Sequence, residues 1–106
     1  MTRFMRMIVF FDLPVKEKAE QKAASKFRNF LIKDGYLMVQ FSVYSRVCAG
    51  YDAVKTHELR LKRNLPPNGS VRLLTITEKQ YESMSILLGE YKQSDLPVSY
   101  EQLTLL

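Results

Sequence analysis

The chain has 106 residues, 46% hydrophobic and 25% charged, enough for one globular domain with a modest core. No apolar run reaches the roughly 18 residues a membrane span needs, and the start, MTRFMRMIVFF, lacks a small-residue cleavage site, so neither a membrane anchor nor a signal peptide is expected. The net charge of +5 is uneven: residues 1–69 hold 13 Lys/Arg against 6 Asp/Glu, and residues 70–106 hold 3 against 5, which fits a polyanion-binding body as well as a solvated basic surface.

Met5 to Phe11 reads as a buried strand, apolar on both faces apart from Arg6. It runs into Asp12, and Leu13-Pro14 stops it. Residues 16–34 have a helical period. Val15, Ala19, Ala23, Phe27 and Phe30/Leu31 form the expected core stripe, and Gly35 is the stop. Lys18, Lys22, Lys26 and Lys33 fall on a neighbouring stripe, ordinarily a solvated face. Lys16 and Lys18 differ, because they stand at the helix start, where orphan N–H groups and the dipole also favour an anion.

Residues 36–48 are β-rich, with Leu37, Val39, Phe41 and Val43 alternating with Met38, Gln40, Ser42 and Tyr44. The run is long for one strand, so Gln40-Phe41-Ser42 is the expected bend between two. Ala49-Gly50 breaks it, and residues 51–65 read as a second helix with Val54, His57, Leu61 and Leu65 on one face. Pro66-Pro67-Asn68-Gly69 is a turn, and Val71 to Ile76 a strand. Thr77-Glu78-Lys79-Gln80 has the pattern of a capping box, predicting a short helix. Met84 to Leu88 is expected as a short strand, Gln93 to Pro97 as a loop, and Tyr100 to Leu106 as a final strand.

The order β-α-β-β-α-β predicts an α+β fold: two helices on one face of a four-stranded antiparallel sheet, the ferredoxin-like arrangement, with extra C-terminal strands. Residues 1–106 make one domain, with 89–106 as a C-terminal extension. Leu103, Leu105 and Leu106 are hard for so small a monomer to bury, which predicts that a partner chain takes up that edge.

Most catalytic signatures are missing. There is no clustered-glycine phosphate loop and no Cys/His metal spacing. The single cysteine, Cys48, has no disulfide partner in the chain and suits a reducing cytoplasm. No motif joins it to the single histidine, His57, which reads as a core-edge residue. Asp12 is the one acid set by an obvious device, where a strand feeds a helix. One carboxylate holds Mg²⁺ only loosely and cannot clamp a phosphoryl displacement. Near a twofold axis, two copies of Asp12 would make one shared metal site. The alternative is that Asp12 caps the first helix from the turn.

Taken together, Ile8 to Pro14 with its terminal Asp12, the helix reaching Lys33-Asp34-Gly35, and Val39-Gln40-Phe41-Ser42-Val43-Tyr44-Ser45 resemble the small CRISPR adaptation protein family, Cas-two, over nearly the whole length. The form Phe11-Asp12-Leu13-Pro14 with Lys26 to Leu31 looks like the version from type II systems. The resemblance implies a ferredoxin-like homodimer with C-terminal strands exchanged or paired across the interface. It implies Mg²⁺- or Mn²⁺-dependent endonuclease activity on RNA or double-stranded DNA, with Asp12 as the catalytic and metal-binding residue and one metal shared by the two copies. In spacer acquisition it implies a hub between two dimers of the larger integrase subunit, Cas-one, holding the incoming duplex that is joined to the CRISPR array. Lys16, Lys18, Lys22 and Arg28 are the candidate DNA contacts. Two departures from family members stand out: Phe11 where many carry Tyr, and Met38 where some nucleases carry a basic residue. Both are expected to remove polar groups from the metal's neighbourhood. A third reading, an RNA-binding ferredoxin-like domain, has Phe41 and Tyr44 as sheet aromatics but lacks the basic and glycine parts of that motif.

Overall fold

The structure, a computed structural model, describes residues 3–95. Strand β1 (Phe4–Asp12) is followed by helix α1 (Lys18–Lys33), strands β2 (Leu37–Gln40) and β3 (Val43–Ala49), helix α2 (Tyr51–Arg63), strand β4 (Ser70–Thr77), the short helix α3 (Glu78–Glu82) and a 3₁₀ turn at Gln93–Asp95. The sheet order is β2-β3-β1-β4, and every neighbouring pair is antiparallel. This is the ferredoxin-like α+β arrangement. The expected final strand at 100–106 lies outside the described residues.

Strand β1 is the centre of the sheet, paired with β3 and β4 at once. Alternation along it sends Met5, Met7, Val9 and Phe11 into the core beneath α1 and α2, where they meet Phe27 and Leu31 of α1 and Val54 and Leu61 of α2. Phe11 sets its ring edge-on to Phe27, with centroids 5.4 Å apart. The other face of β1 carries Arg6, Ile8, Phe10 and Asp12. It is not buried throughout, as the sequence suggested: Arg6 and Ile8 are covered, Phe10 is 40% exposed and Asp12 is exposed.

What covers that face is the chain after β4. Arg6 donates through Nε and Nη2 to Glu78 Oε1 at 3.0 and 2.8 Å, and through Nη1 to Ser45 Oγ at 3.2 Å and the Ser94 carbonyl at 2.9 Å. Its guanidinium lies 4.0 Å from the Tyr81 ring centroid. The capping box at Thr77 forms, with Gln80 N–H donating to Thr77 Oγ1 at 3.1 Å, and places Glu78 and Tyr81 over the sheet. Residues 84–88 do not form a strand. Met84 and Ile86 are only partly covered, Leu87 and Leu88 are almost fully exposed, and no strand among the described residues offers them a ladder.

Helix α1 starts at Lys18 rather than residue 16. Its cap is Glu17, whose backbone N–H donates to Glu20 Oε1 at 3.0 Å. The buried stripe is Ala24, Phe27 and Leu31, with Phe30 packed at its edge. Val15, in the loop before the helix, and Ala19, in its first turn, are exposed rather than part of the core stripe. The stop at Gly35, at φ +92, is as expected. Helix α2 ends at Arg63, which leaves Leu65 exposed outside it.

Candidate metal and nucleic-acid site

Asp12 is the last residue of β1, opposite Ser70 at the start of β4. It does not cap α1: that place is held by Glu17, five residues on, since Leu13-Pro14 and an extended stretch separate the strand from the helix. The Asp12 carboxylate is exposed and has no ion pair among the described residues. Its backbone is held closely. Gly69, at φ +102, approaches so near that a Cβ there would lie 2.7 Å from the Asp12 carbonyl oxygen and 2.9 Å from Leu13 Cδ2. On the other side, the Phe11 N–H donates to the Ser42 carbonyl at 3.0 Å, fastening the β2–β3 turn to the residue before Asp12.

The two sequence departures read differently against this geometry. Phe11 is 6% exposed and points to the helix side of the sheet, against Phe27 and Tyr44. By alternation, Asp12 points to the opposite side. Met38 lies on the edge strand β2, opposite Tyr44 on β3, so β3 stands between it and β1. Within one chain neither position borders the Asp12 carboxylate.

No group of three His, Cys, Asp or Glu able to hold a metal occurs among the described residues. An exposed, unpaired carboxylate does fit a largely hydrated Mg²⁺ or Mn²⁺, but one chain supplies one such ligand. The residues present therefore fit the metal only as a site shared between two copies.

The candidate cations divide between places. Lys16 and Lys18 are exposed in the loop and first turn at the Asp12 end of the domain. The Glu20 carboxylate already occupies the N–H at the helix start, so that terminus is not an open anion site, and the lysines act through their own charge. Lys22 lies further along α1, in a furrow that also holds Lys18, Lys26 and Lys33 from α1 and Asn64 from the end of α2. No acid lines the furrow, and none of these lysines has an ion pair among the described residues. Lys26 and Lys33 were left by the sequence as a solvated face; their four- and seven-residue spacing was the available signal. Arg28 reaches over the Phe11 ring, 5.9 Å from its centroid, on the sheet face away from Asp12. Lys22 and Arg28 thus belong to the helix layer, and the structure does not bring them together with the carboxylate.

The remaining reactive side chains are structural. His57 Nδ1 is 2.8 Å from Asp34 Oδ2, and Arg60 donates to Asp34 Oδ1 at 2.8 Å. Arg46 donates to the Asp34 carbonyl, closing a tie between α1, β3 and α2. Burial holds the His57 pKa below its ordinary 6.5, against the pull of Asp34. Cys48 is buried beside Met7, and burial raises its thiol pKa. No helix among the described residues is long and apolar enough to cross a membrane.

The model of the family described as CRISPR associated protein Cas2 matches residues 5–84. A relative from Acidovorax ebreus, named CRISPR-associated endoribonuclease Cas2, is 59% identical over 85 residues, covering 80% of this chain and 83% of that protein. A relative of the same name from Campylobacter jejuni is 56% identical over 87 residues, covering 82% of this chain and 61% of that protein. A third, from Ligilactobacillus salivarius, is 45% identical over 86 residues, covering 81% and 85%.

Proposed function

The chain belongs to the CRISPR associated protein Cas2 family, and from that premise we propose that it serves CRISPR adaptation as a homodimeric, duplex-binding hub. In this reading the dimer holds the incoming prespacer duplex and bridges two dimers of the larger integrase subunit, Cas-one, at the CRISPR array. The observation that carries it is the run of unpaired lysines at the start and along the outer face of α1, with no carboxylate in the furrow they line. A surface of one sign attracts a phosphate backbone without reading its sequence. The half-covered sheet face, with Phe10, Leu37 and Leu74 each 40–48% exposed, is the apolar surface that a second copy would bury.

Duplex binding measured across salt concentrations tests the reading. The log–log slope is about −0.9 per phosphate neutralised, so Lys16→Ala with Lys18→Ala should flatten it by about 1.8 if each lysine meets one phosphate. A slope equal to that of the unmodified protein moves the contact surface elsewhere.

A second reading is favoured by the exposed, unpaired, non-capping Asp12. The relatives' printed name is endoribonuclease; in this second reading the chain is a divalent-metal-dependent endonuclease, acting on RNA or on double-stranded DNA, with Asp12 of two copies holding one Mg²⁺ or Mn²⁺. Bound there, the metal would supply charge neutralisation at the phosphate and a more acidic water. Asp12 holds the ion, Gly69 and Ser42 fix the backbone that carries it, and the lysines hold the strand. Asp12→Asn should abolish cleavage and leave the association state unchanged. Spacer acquisition in cells carrying Asp12→Ala separates the readings: the hub role predicts normal acquisition, the nuclease role predicts its loss.

A further inference from the structure

The strand register places a cation beside Asp12 that neither the sequence reading nor the lysine furrow includes. Asp12 is opposite Ser70, and Phe10, one row inward, is opposite Arg72. Strand β4 alternates as β1 does. Val71 and Leu73 pack against the core from the helix side, so Ser70, Arg72 and Leu74 point to the other side, which is the side of Asp12. Arg72 is thus the diagonal neighbour of Asp12 on the same face, with about 7–8 Å between the two positions. That register is held at its end by Gly69, whose close approach to the Asp12 carbonyl precedes Ser70.

The other strand residues of this face leave the pair alone. The row of Phe10 continues to Val43 on β3 and Gln40 on β2, and the next row inward is Leu74, Ile8, Ser45 and Leu37. Arg6, further along, is held by Glu78 and the Ser94 carbonyl. Arg46 is opposite Met7 and so belongs to the helix side. Asp12 and Arg72 are both exposed, and neither has an ion pair among the described residues, with the other or elsewhere. Opposite charges on neighbouring strands ordinarily help a sheet by closing on each other. Here the carboxylate and the guanidinium stay apart, which suits a ligand that brings a cation for one and an anion for the other.

We propose that Arg72 is a phosphate-binding residue of the Asp12 site, its guanidinium donating to the non-bridging oxygens of the phosphate that meets the metal held by Asp12. The proposal rests on the metal reading of Asp12 above and adds to it the group that holds the anion. Charge shows why that group is needed. Two carboxylates cancel one divalent cation, so the negative charge of the phosphate is left for the protein's own cations. A second copy does not remove Arg72 from the site: where two Asp12 share a metal, the register brings an Arg72 with each. A guanidinium also fits two oxygens of one phosphate at once, which an ammonium does not.

The test measures affinity for a short DNA duplex by fluorescence anisotropy, in EDTA and in Mn²⁺, with the duplex checked intact on a gel. Mn²⁺ should raise the affinity of the unmodified protein, and Asp12→Asn should abolish the rise. Arg72→Gln should cut the rise about tenfold, and Arg72→Lys should recover part of it. Mn²⁺ binding without nucleic acid, read by electron paramagnetic resonance, should be no weaker in Arg72→Gln, because Arg72 holds the anion and not the ion. Circular dichroism and sedimentation are run on each variant. A full rise in Arg72→Gln, with the rise lost in Asp12→Asn, keeps the metal reading and overturns the proposal. Equal loss of affinity in EDTA and in Mn²⁺ makes Arg72 a general surface charge and overturns it. A changed association state in Arg72→Gln makes it a contact between copies and overturns it too. If Mn²⁺ gives the unmodified protein no rise, the metal reading fails and the proposal with it.

Discussion

Replacing Gly69 by Ala should be among the most damaging small changes near Asp12, and Gly89 supplies the control. Both glycines have positive φ, +102 and +111. An L-residue in that region costs about 1–2 kcal/mol, so both variants carry that term. They differ in what the new methyl meets. At Gly89 nothing lies within 4 Å; at Gly69 the methyl would be 2.7 Å from the Asp12 carbonyl oxygen and 3.1 Å from Leu13 Cα. Those are backbone atoms, which yield only by moving the strand end. Overpacking of this kind costs about 1–3 kcal/mol. Gly69→Ala should therefore be less stable than Gly89→Ala by about 1–3 kcal/mol, or roughly 4–20 °C in melting midpoint for a domain this size. Paired thermal melts read the difference. Binding of Mn²⁺ or of nucleic acid should fall only in Gly69→Ala, since only there is Asp12 displaced. Equal midpoints within a degree would refute the claim that the 66–69 turn clamps the carboxylate's backbone.

Removing Arg6 should unfasten the segment after β4. Arg6→Ala leaves the buried Glu78 carboxylate without a counter-charge, and breaking such a pair costs about 3–5 kcal/mol by denaturant titration. The double variant Arg6→Met with Glu78→Leu should recover most of that loss, because no buried charge is left alone. His57 should make the fold acid-sensitive. Its pKa is lowered in the folded state, so its contribution is present above about 6.5, the unfolded value, and is lost as pH falls through the lower folded value. Melting midpoints between pH 8 and 5 should fall less steeply in His57→Gln than in the unmodified protein.

The elements that were legible from the sequence are those whose signals are local. A continuous apolar run, a left-handed glycine after Lys33-Asp34 and the Thr77-to-Gln80 capping box each specify an element without help from the rest of the chain. The errors arose where a distant segment decides. Residues 84–88 have strand-like composition, yet strand structure needs a partner ladder and none is offered among the described residues. The first-helix stripe was displaced towards Val15 and Ala19 because periodicity does not say which turn of the helix first meets the core, which begins at Ala24. Of the two readings of Asp12, the cap fails because the three-dimensional path gives that place to Glu17. Gly69 against Asp12 could not be read at all, since 56 intervening residues separate two atoms that the sheet brings together.

Phe11 shows what the sheet's two faces imply for chemistry. In sequence it adjoins Asp12, so a missing hydroxyl there looks like a missing part of a metal site. In space the ring is on the helix side, packed on Phe27 and beneath Arg28, while the carboxylate faces the other way. Phe11→Tyr would introduce a hydroxyl at a position only 6% exposed. Left without a partner, a buried hydroxyl costs about 1–3 kcal/mol. The variant should therefore melt earlier and cleave no faster than the unmodified protein in Mg²⁺ or Mn²⁺. A tenfold gain in cleavage would place the hydroxyl at the metal and overturn the assignment of faces. The same alternation keeps Arg28 from sharing a phosphate with Asp12 in one chain.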